Sequence, residues 1–184
     1  MEIEKEVKIL GIDVVEVEKN LIKLGAKLIS KEDQENIRVD SSENPIEPKA
    51  QGYLRIRTVE DKITGKSEMY FTFKKHITDI EIRKNIEYTT KIENKEELIK
   101  ILKVMGYNIF DVGYKKRTSY ELESMRFDID TWDVNTYPDP FLEIEFDNEK
   151  HLYDILNKLN IDKSKISTKS IAELKNFYKN SMTY

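Results

Sequence analysis

The chain has 184 residues, 36% of them charged, with 31 Lys and Arg against 35 Asp and Glu and a formal net charge of −4. That length is enough for one stable core, and the slightly acidic balance gives no general attraction to nucleic acid or anionic membranes. Cys is absent, which excludes disulfides, thiolate metal sites and Cys nucleophiles and suits a reducing compartment.

The chain is charged from its second residue, without the apolar stretch of a signal peptide, and no run approaches a membrane span. A cytoplasmic, soluble protein without membrane or nucleic-acid partners is expected. His76 and His151 lack zinc-type spacing and read as surface residues. No Gly-rich phosphate loop, nucleophile elbow or dinucleotide fingerprint is present.

Period-2 alternation dominates the chain. Its first run, residues 2–10, aligns Glu4, Glu6 and Lys8 on one strand face, with Val7 and Ile9 turned the other way. Two carboxylates and an ammonium so placed suit a hard divalent cation beside an anion. Asp13-Val-Val-Glu16 has the form of a capping box and opens a helix that runs to Leu24 and ends at Gly25. A short strand follows at 35–40, and residues 41–51 form the clearest loop. Strand 52–60 aligns Arg55 and Arg57 against Leu54 and Ile56, and strand 67–75 aligns Thr72 and Lys74 against Phe71 and Phe73. Strand 80–92 sets Arg83, Asn85 and Glu87 against Ile82 and Ile86.

Asn94-Lys-Glu-Glu97 opens a second helix, which closes before Gly106. Strand 112–121 aligns Lys115 with Arg117, strand 125–133 aligns Asp128 with Asp130, and strand 141–147 aligns Glu143 with Glu145. The loop at Thr136–Pro140 separates the last two. His151 to Leu159 reads as a third helix with Leu152, Ile155, Leu156 and Leu159 at helical spacing. Ser170-Ile-Ala-Glu173 starts a fourth, carrying Ile171, Leu174, Phe177 and Tyr178 on one side. No stretch looks like an interdomain linker, so a single domain over residues 1–184 is expected.

An antiparallel sheet with one wet face alternates in this way routinely. Here nearly every strand does so, and the signs are sorted: residues 4–6, 128–130 and 143–145 are acidic, while 55–57, 74 and 115–117 are basic. Four amphipathic helices also need an apolar sheet surface to cover. Together these features predict an α+β fold: a closed or nearly closed antiparallel β-barrel with a charged interior and helices packed outside. Such an interior is costly if dry and unpaired. It suits water, divalent cations on carboxylates and a polyanion gripped by Arg and Lys.

Glu4-Lys-Glu-Val-Lys8 resembles the ExExK motif of the CYTH superfamily, the triphosphate tunnel metalloenzymes, and further motifs follow in the family's order. Leu54-Arg-Ile-Arg57 resembles its paired-arginine strand, Thr72-Phe-Lys74 its TxK strand, and Arg83 with Glu87 the next strand. Lys115-Lys-Arg117 followed by Tyr120 resembles its KxR strand, Asp130 in Ile129-Asp-Thr-Trp132 its late aspartate, and Phe141-Leu-Glu-Ile-Glu145 its closing ExE strand. The arrangement is similar to bacterial CyaB-type class IV adenylyl cyclase-like and thiamine triphosphatase-like proteins.

The resemblance implies an eight-stranded antiparallel tunnel that binds a triphosphate group with Mg²⁺ or Mn²⁺. By that resemblance Glu4, Glu6 and Glu145 hold the principal metal, with Asp130 and Glu143 as further metal-side groups. Lys8, Arg55, Arg57, Lys74, Arg83, Lys115 and Arg117 bind substrate, and Lys74, Glu6 and Glu145 are the catalytic candidates. Lys74 serves either as a phosphate ligand or, if neighbouring cations depress its pKa, as a general base. Two positions depart from the family pattern. Asn85 replaces the first Glu of the fifth strand, and Arg38 stands where thiamine triphosphatases carry a Tyr.

The partner expected is a triphosphate-containing small molecule, inorganic triphosphate or a nucleoside triphosphate, with hydrolysis favoured. Class IV adenylyl cyclase activity, giving cyclic AMP and pyrophosphate from ATP, is the alternative, followed by a non-catalytic polyphosphate- or nucleotide-binding module. Apolar surface on helices such as 152–159 is expected to leave room for a homodimer.

Overall fold

The structure, a computed structural model, describes residues 2–77 and 82–181. Alternation along β1 (Glu2–Ile9) buries Val7 and Ile9 on one face and Glu6 and Lys8 on the other, so both faces of this strand are enclosed. The remaining barrel strands are β2 (Lys27–Asp40), β3 (Gly52–Asp61), β4 (Ser67–Ile77), β5 (Arg83–Ile92), β6 (Ile109–Leu122), β7 (Met125–Trp132) and β8 (Phe141–Glu145). These strands pair in the order β5-β4-β3-β2-β6-β7-β8-β1, and β1 returns to β5, which closes an eight-stranded barrel. Every pairing is antiparallel, and the seam sets Glu4 opposite Asn85 and Glu6 opposite Arg83. Where β1 parts from β5, the two-residue β9 (Ile166–Ser167) takes over the pairing at Lys8 and Ile9. Closure leaves no unpaired edge along the ring.

Helices bury the outward apolar faces. Strand residues Val7, Ile9, Phe127, Ile129, Leu142 and Ile144 form one core with Val17 and Leu21 of α1 (Val14–Lys23) and with Leu152, Ile155 and Leu156 of α4 (Glu149–Lys158). Each such side chain contributes about 1.5–3 kcal/mol through burial. Ile37, Val39 and Ile56 form a second core under Leu102 of α3 (Lys95–Val104). A third joins Tyr137 and Phe141 to Leu174 of α5 (Ile171–Ser181). The expected caps are present: Asp13 and Asn94 accept from the amides of Glu16 and Glu97. Gly25 and Gly106 end α1 and α3 at φ +90° and +94°, a conformation that suits a residue lacking Cβ.

Several expectations change. β2 begins at Lys27 rather than at residue 35. Its outer half lacks clean alternation because most of it is at least partly exposed, and it runs as a ribbon with β6 that includes a bulge between Leu28 and Ser30. The loop at 41–51 contains a short helix, α2 (Ile46–Ala50), with Pro48 in its first turn. The start of the strand expected at 80–92 lies outside the described residues. Leu152, Ile155, Leu156 and Leu159 are buried in the chain's own core, so the apolar surface expected to serve a homodimer on this helix is already covered. Among the described residues, no helix is long and apolar enough to cross a membrane.

Candidate active site

Inward side chains of all eight strands line one tunnel of about 460 Å³. Every metal- and substrate-site residue expected from the sequence reaches it: Glu4, Glu6, Lys8, Arg55, Arg57, Lys74, Arg83, Lys115, Arg117, Asp130, Glu143 and Glu145. Strand order divides the lining. Around the ring β1 lies across from β2, and β8 across from β3. The carboxylates of Glu4, Glu6, Glu143 and Glu145 therefore face a wall built by Asn36, Arg55 and Arg57.

On and beside the acidic wall the cations are compensated. Lys74 Nζ lies 2.7 Å from Glu4, 3.0 Å from Glu87 and 3.3 Å from Glu6. Lys8 reaches Glu143 at 2.9 Å and Glu6 at 3.4 Å. Arg117 donates to both oxygens of Asp130 at 2.7 Å and to Glu143 at 2.9 Å, and also pairs with Asp128. The wall opposite is poor in counter-ions. Arg55 meets Glu87 only at 3.7 Å. Arg57 has no carboxylate partner among the described residues, and its Nε donates to Asn36 Oδ1 at 2.9 Å.

The electrostatics follow these surroundings. Burial pulls the Lys74 pKa down, but Glu6, Tyr53, Glu4 and Glu87 more than offset it and hold the ammonium well above the ordinary lysine range. The depressed pKa required for a general base is thus not found at Lys74, because carboxylates rather than cations surround it. Lys115 is the lysine with that property: burial and Arg117 push it down to about 7, against the opposing pull of Asp130. Burial, with Arg55 and Arg117, lowers Arg57 to about 10. Burial raises Glu145 to about 7, reinforced by Asp128, Glu143 and Glu4.

Oxygen atoms of Asp128, Glu143 and Glu145 lie within 4.8 Å of one another, and register sets Glu6 directly beside Glu145. This all-carboxylate donor set fits a hard cation such as Mg²⁺ or Mn²⁺, which would also relieve the mutual repulsion of these carboxylates. Asp128, rather than Asp130, joins the group by position; both aspartates carry basic partners, Arg126 at 2.9 and 3.1 Å with Arg117 on Asp128, and Lys115 at 2.9 Å with Arg117 on Asp130. Asn85 donates to Glu6 at 3.3 Å, so the amide at this departure from the pattern supports a metal-side carboxylate instead of adding one. Glu87 is a counter-ion of Lys74 and Arg55.

Other features of the site were not expected. His76 is a half-buried part of the lining rather than a surface residue, with Nδ1 3.4 Å from Asn85 Oδ1. Arg83 turns toward the C-terminal segment, reaching the Thr168 carbonyl at 3.0 Å and Glu173 at 3.5 Å. Arg38 pairs with Glu47 of α2 at 2.8 Å and stacks over Tyr53 at 5.5 Å. Ser170, Ile171, Ala172, Glu173 and Lys175 complete one end of the tunnel. Asn36 was not singled out in the sequence; strand parity with Arg38 is the one signal that could have placed this neutral residue in the lining.

A closed barrel with carboxylates on one side of its lumen and under-compensated guanidinium groups on the other defines a class of protein built to hold a polyanion together with a cation. The chain belongs to the CYTH domain family, whose model matches residues 2–178. A Methanocaldococcus jannaschii protein bearing the name "putative adenylate cyclase" is 33% identical over 182 residues, covering 94% of this chain and 98% of that one. A solved protein of Pyrococcus horikoshii OT3 shares the fold with a TM-score of 0.78 and 22% identity, over 95% of this chain and 99% of its own. A Hippeastrum protein described as a "putative adenylyl cyclase" with a dominant triphosphatase activity shares it with a TM-score of 0.64 and 13% identity, over 98% and 96%.

Proposed function

We propose that this chain is a divalent-metal-dependent phosphohydrolase that cleaves inorganic triphosphate or a nucleoside triphosphate inside the tunnel. The family is one of triphosphate tunnel enzymes. The observation that carries the reading is the enclosed Arg57, left without a carboxylate partner among the described residues and opposite the carboxylates of Glu143 and Glu145. An anion bridged to a cation satisfies both walls at once.

Arg57 and Arg55 bind phosphate oxygens, and Lys115 joins them as an ammonium, since the ligand's negative charge raises its pKa. Lys74 and Lys8 stay charged at neutral pH and neutralise charge on the transferred group. Asp128, Glu143 and Glu145, with Glu4 and Glu6 beside them, would hold Mg²⁺ or Mn²⁺, which would supply Lewis-acid polarisation. In the reaction the water oxygen bonds to the terminal phosphorus and the bond to the bridging oxygen breaks. Orthophosphate leaves with the diphosphate. Position and charge neutralisation are the protein's contribution.

Cyclisation of ATP is the second reading, supported by the aromatic residues Tyr53 and Trp132 in the lining of the same cavity, since such rings suit a nucleobase. Names do not decide between the two, because the Hippeastrum protein carries a cyclase name beside a dominant triphosphatase activity. Product analysis with purified protein, Mg²⁺ or Mn²⁺, and either inorganic triphosphate or ATP separates them. Orthophosphate is expected, and Glu6→Gln is expected to abolish its release. Cyclic AMP with pyrophosphate contradicts the proposal in favour of the cyclase. Binding without turnover contradicts it in favour of a binding module.

A further inference from the structure

We infer that Asn36 is a phosphate-binding residue of this tunnel, holding Arg57 with its oxygen and presenting its amide N–H groups to the ligand. The inference rests on the triphosphate reading above and assigns a direct contact to a residue outside the charged motifs. Asn36 lines the tunnel from β2 and is 6% exposed. Its orientation is fixed by chemistry. Arginine carries donors alone, so Asn36 can meet Arg57 Nε only with Oδ1, and Nδ2 must face elsewhere. Nδ2 is buried and has no acceptor among the described residues, which is costly unless something arrives to accept from it.

Neighbouring strands offer no such acceptor. Register places Arg57 on one side of Asn36 and Gly113 on the other, the first a donor and the second without a side chain. Against Gly113 lie Thr136 Oγ1, 2.7 Å from where an added Cβ would stand, and the Trp132 ring, 3.1 Å from it at Cζ3; the Thr136 hydroxyl is engaged with Asp133. The buried indole Nε1 is itself a donor without a partner among the described residues, and so is Arg55 Nε. Three unpaired donors on lining residues call for an acceptor-rich ligand. Gln34 Oε1 is an unpaired acceptor on the same strand, but Gln34 does not line the tunnel.

A double-mutant cycle tests the assignment: calorimetric titration of inorganic tripolyphosphate with Mg²⁺ into the unmodified protein, Asn36→Ala, Arg57→Ala and the double variant. Asn36→Ala is expected to weaken binding by about tenfold or more. A several-fold loss is expected to remain when the substitution is made in Arg57→Ala, because the amide contacts the ligand itself. Thermal unfolding without ligand checks the fold of each variant, and Asn36→Ser takes the place of Asn36→Ala if the latter is unfolded. Unchanged affinity overturns the inference. An effect that vanishes in Arg57→Ala also overturns it and leaves Asn36 a positioning residue. If the unmodified protein binds no tripolyphosphate, the triphosphate reading falls and this inference with it. Binding by the unmodified protein with no effect of Asn36→Ala sinks the inference alone.

Discussion

Glu145 has no basic partner within ion-pair distance among the described residues, and burial, reinforced by the carboxylates around it, lifts its pKa from the ordinary 4.5 to about 7. Between those values the folded chain keeps a proton that the unfolded chain releases, so the metal-free protein loses stability as pH rises through this window. Lys115 adds nothing there, because it is protonated in both states below about 7. Above that it acts with the opposite sign, since the folded chain sheds the proton first. Glu145→Gln is therefore expected to flatten the pH dependence between pH 5 and 7 and to stabilise the metal-free protein by about 2–3 kcal/mol at pH 8. Urea unfolding in the presence of a chelator measures both, and an unchanged slope contradicts the assignment. The same change is expected to end metal-dependent turnover, so stability and function pull this position in opposite directions. Ion pairing at Lys74 shows what motif matching leaves out. Its position in a TxK strand is visible from residue types, whereas its protonation depends on Glu4 and Glu6, brought in by a strand distant in sequence.

Gly52 and Lys75 sit opposite each other on β3 and β4, and a Cβ at Gly52 would lie 2.4 Å from the Lys74 carbonyl oxygen and 3.0 Å from Lys75 Cα. Backbone cannot give way as a flexible side chain can. Gly52→Ala is expected to separate these strands locally, destabilise the protein by about 2 kcal/mol or more, and weaken tripolyphosphate binding as Lys74 moves. An unchanged Tm contradicts the close approach. Strands with sorted charges were legible because parity alone puts Arg55 with Arg57 and Glu143 with Glu145. Lys27–Gln34 was not, since a ribbon exposed on much of its length has no buried face to impose alternation. α2 was hidden by two prolines in a loop-like segment. The run of α5 across one tunnel end was also hidden: amphipathic spacing shows that Leu174 seeks a core, but not that Arg83 and Glu173 meet across the lumen.

Closure of the barrel is what turns separate charged strand faces into one site. Once β1 pairs with β5, the ring places Glu4 and Glu6 across from β2 and the ExE strand across from the paired arginines. The ordered motifs made this much of the site readable before any coordinates. Asp128 and Asn36 were not, because which carboxylates converge and which amide lacks a partner are settled by cross-strand neighbours rather than by spacing. In the proposed function the two walls are joined by a triphosphate and a divalent cation together. Calorimetric titration of inorganic tripolyphosphate into the protein, with Mg²⁺ and then with chelator at the same ionic strength, tests it most directly. Binding in both conditions, tighter by about tenfold or more with Mg²⁺ and weakened by Arg57→Ala, is the expected result. Absence of binding with Mg²⁺, or binding indifferent to both Mg²⁺ and Arg57, would contradict it.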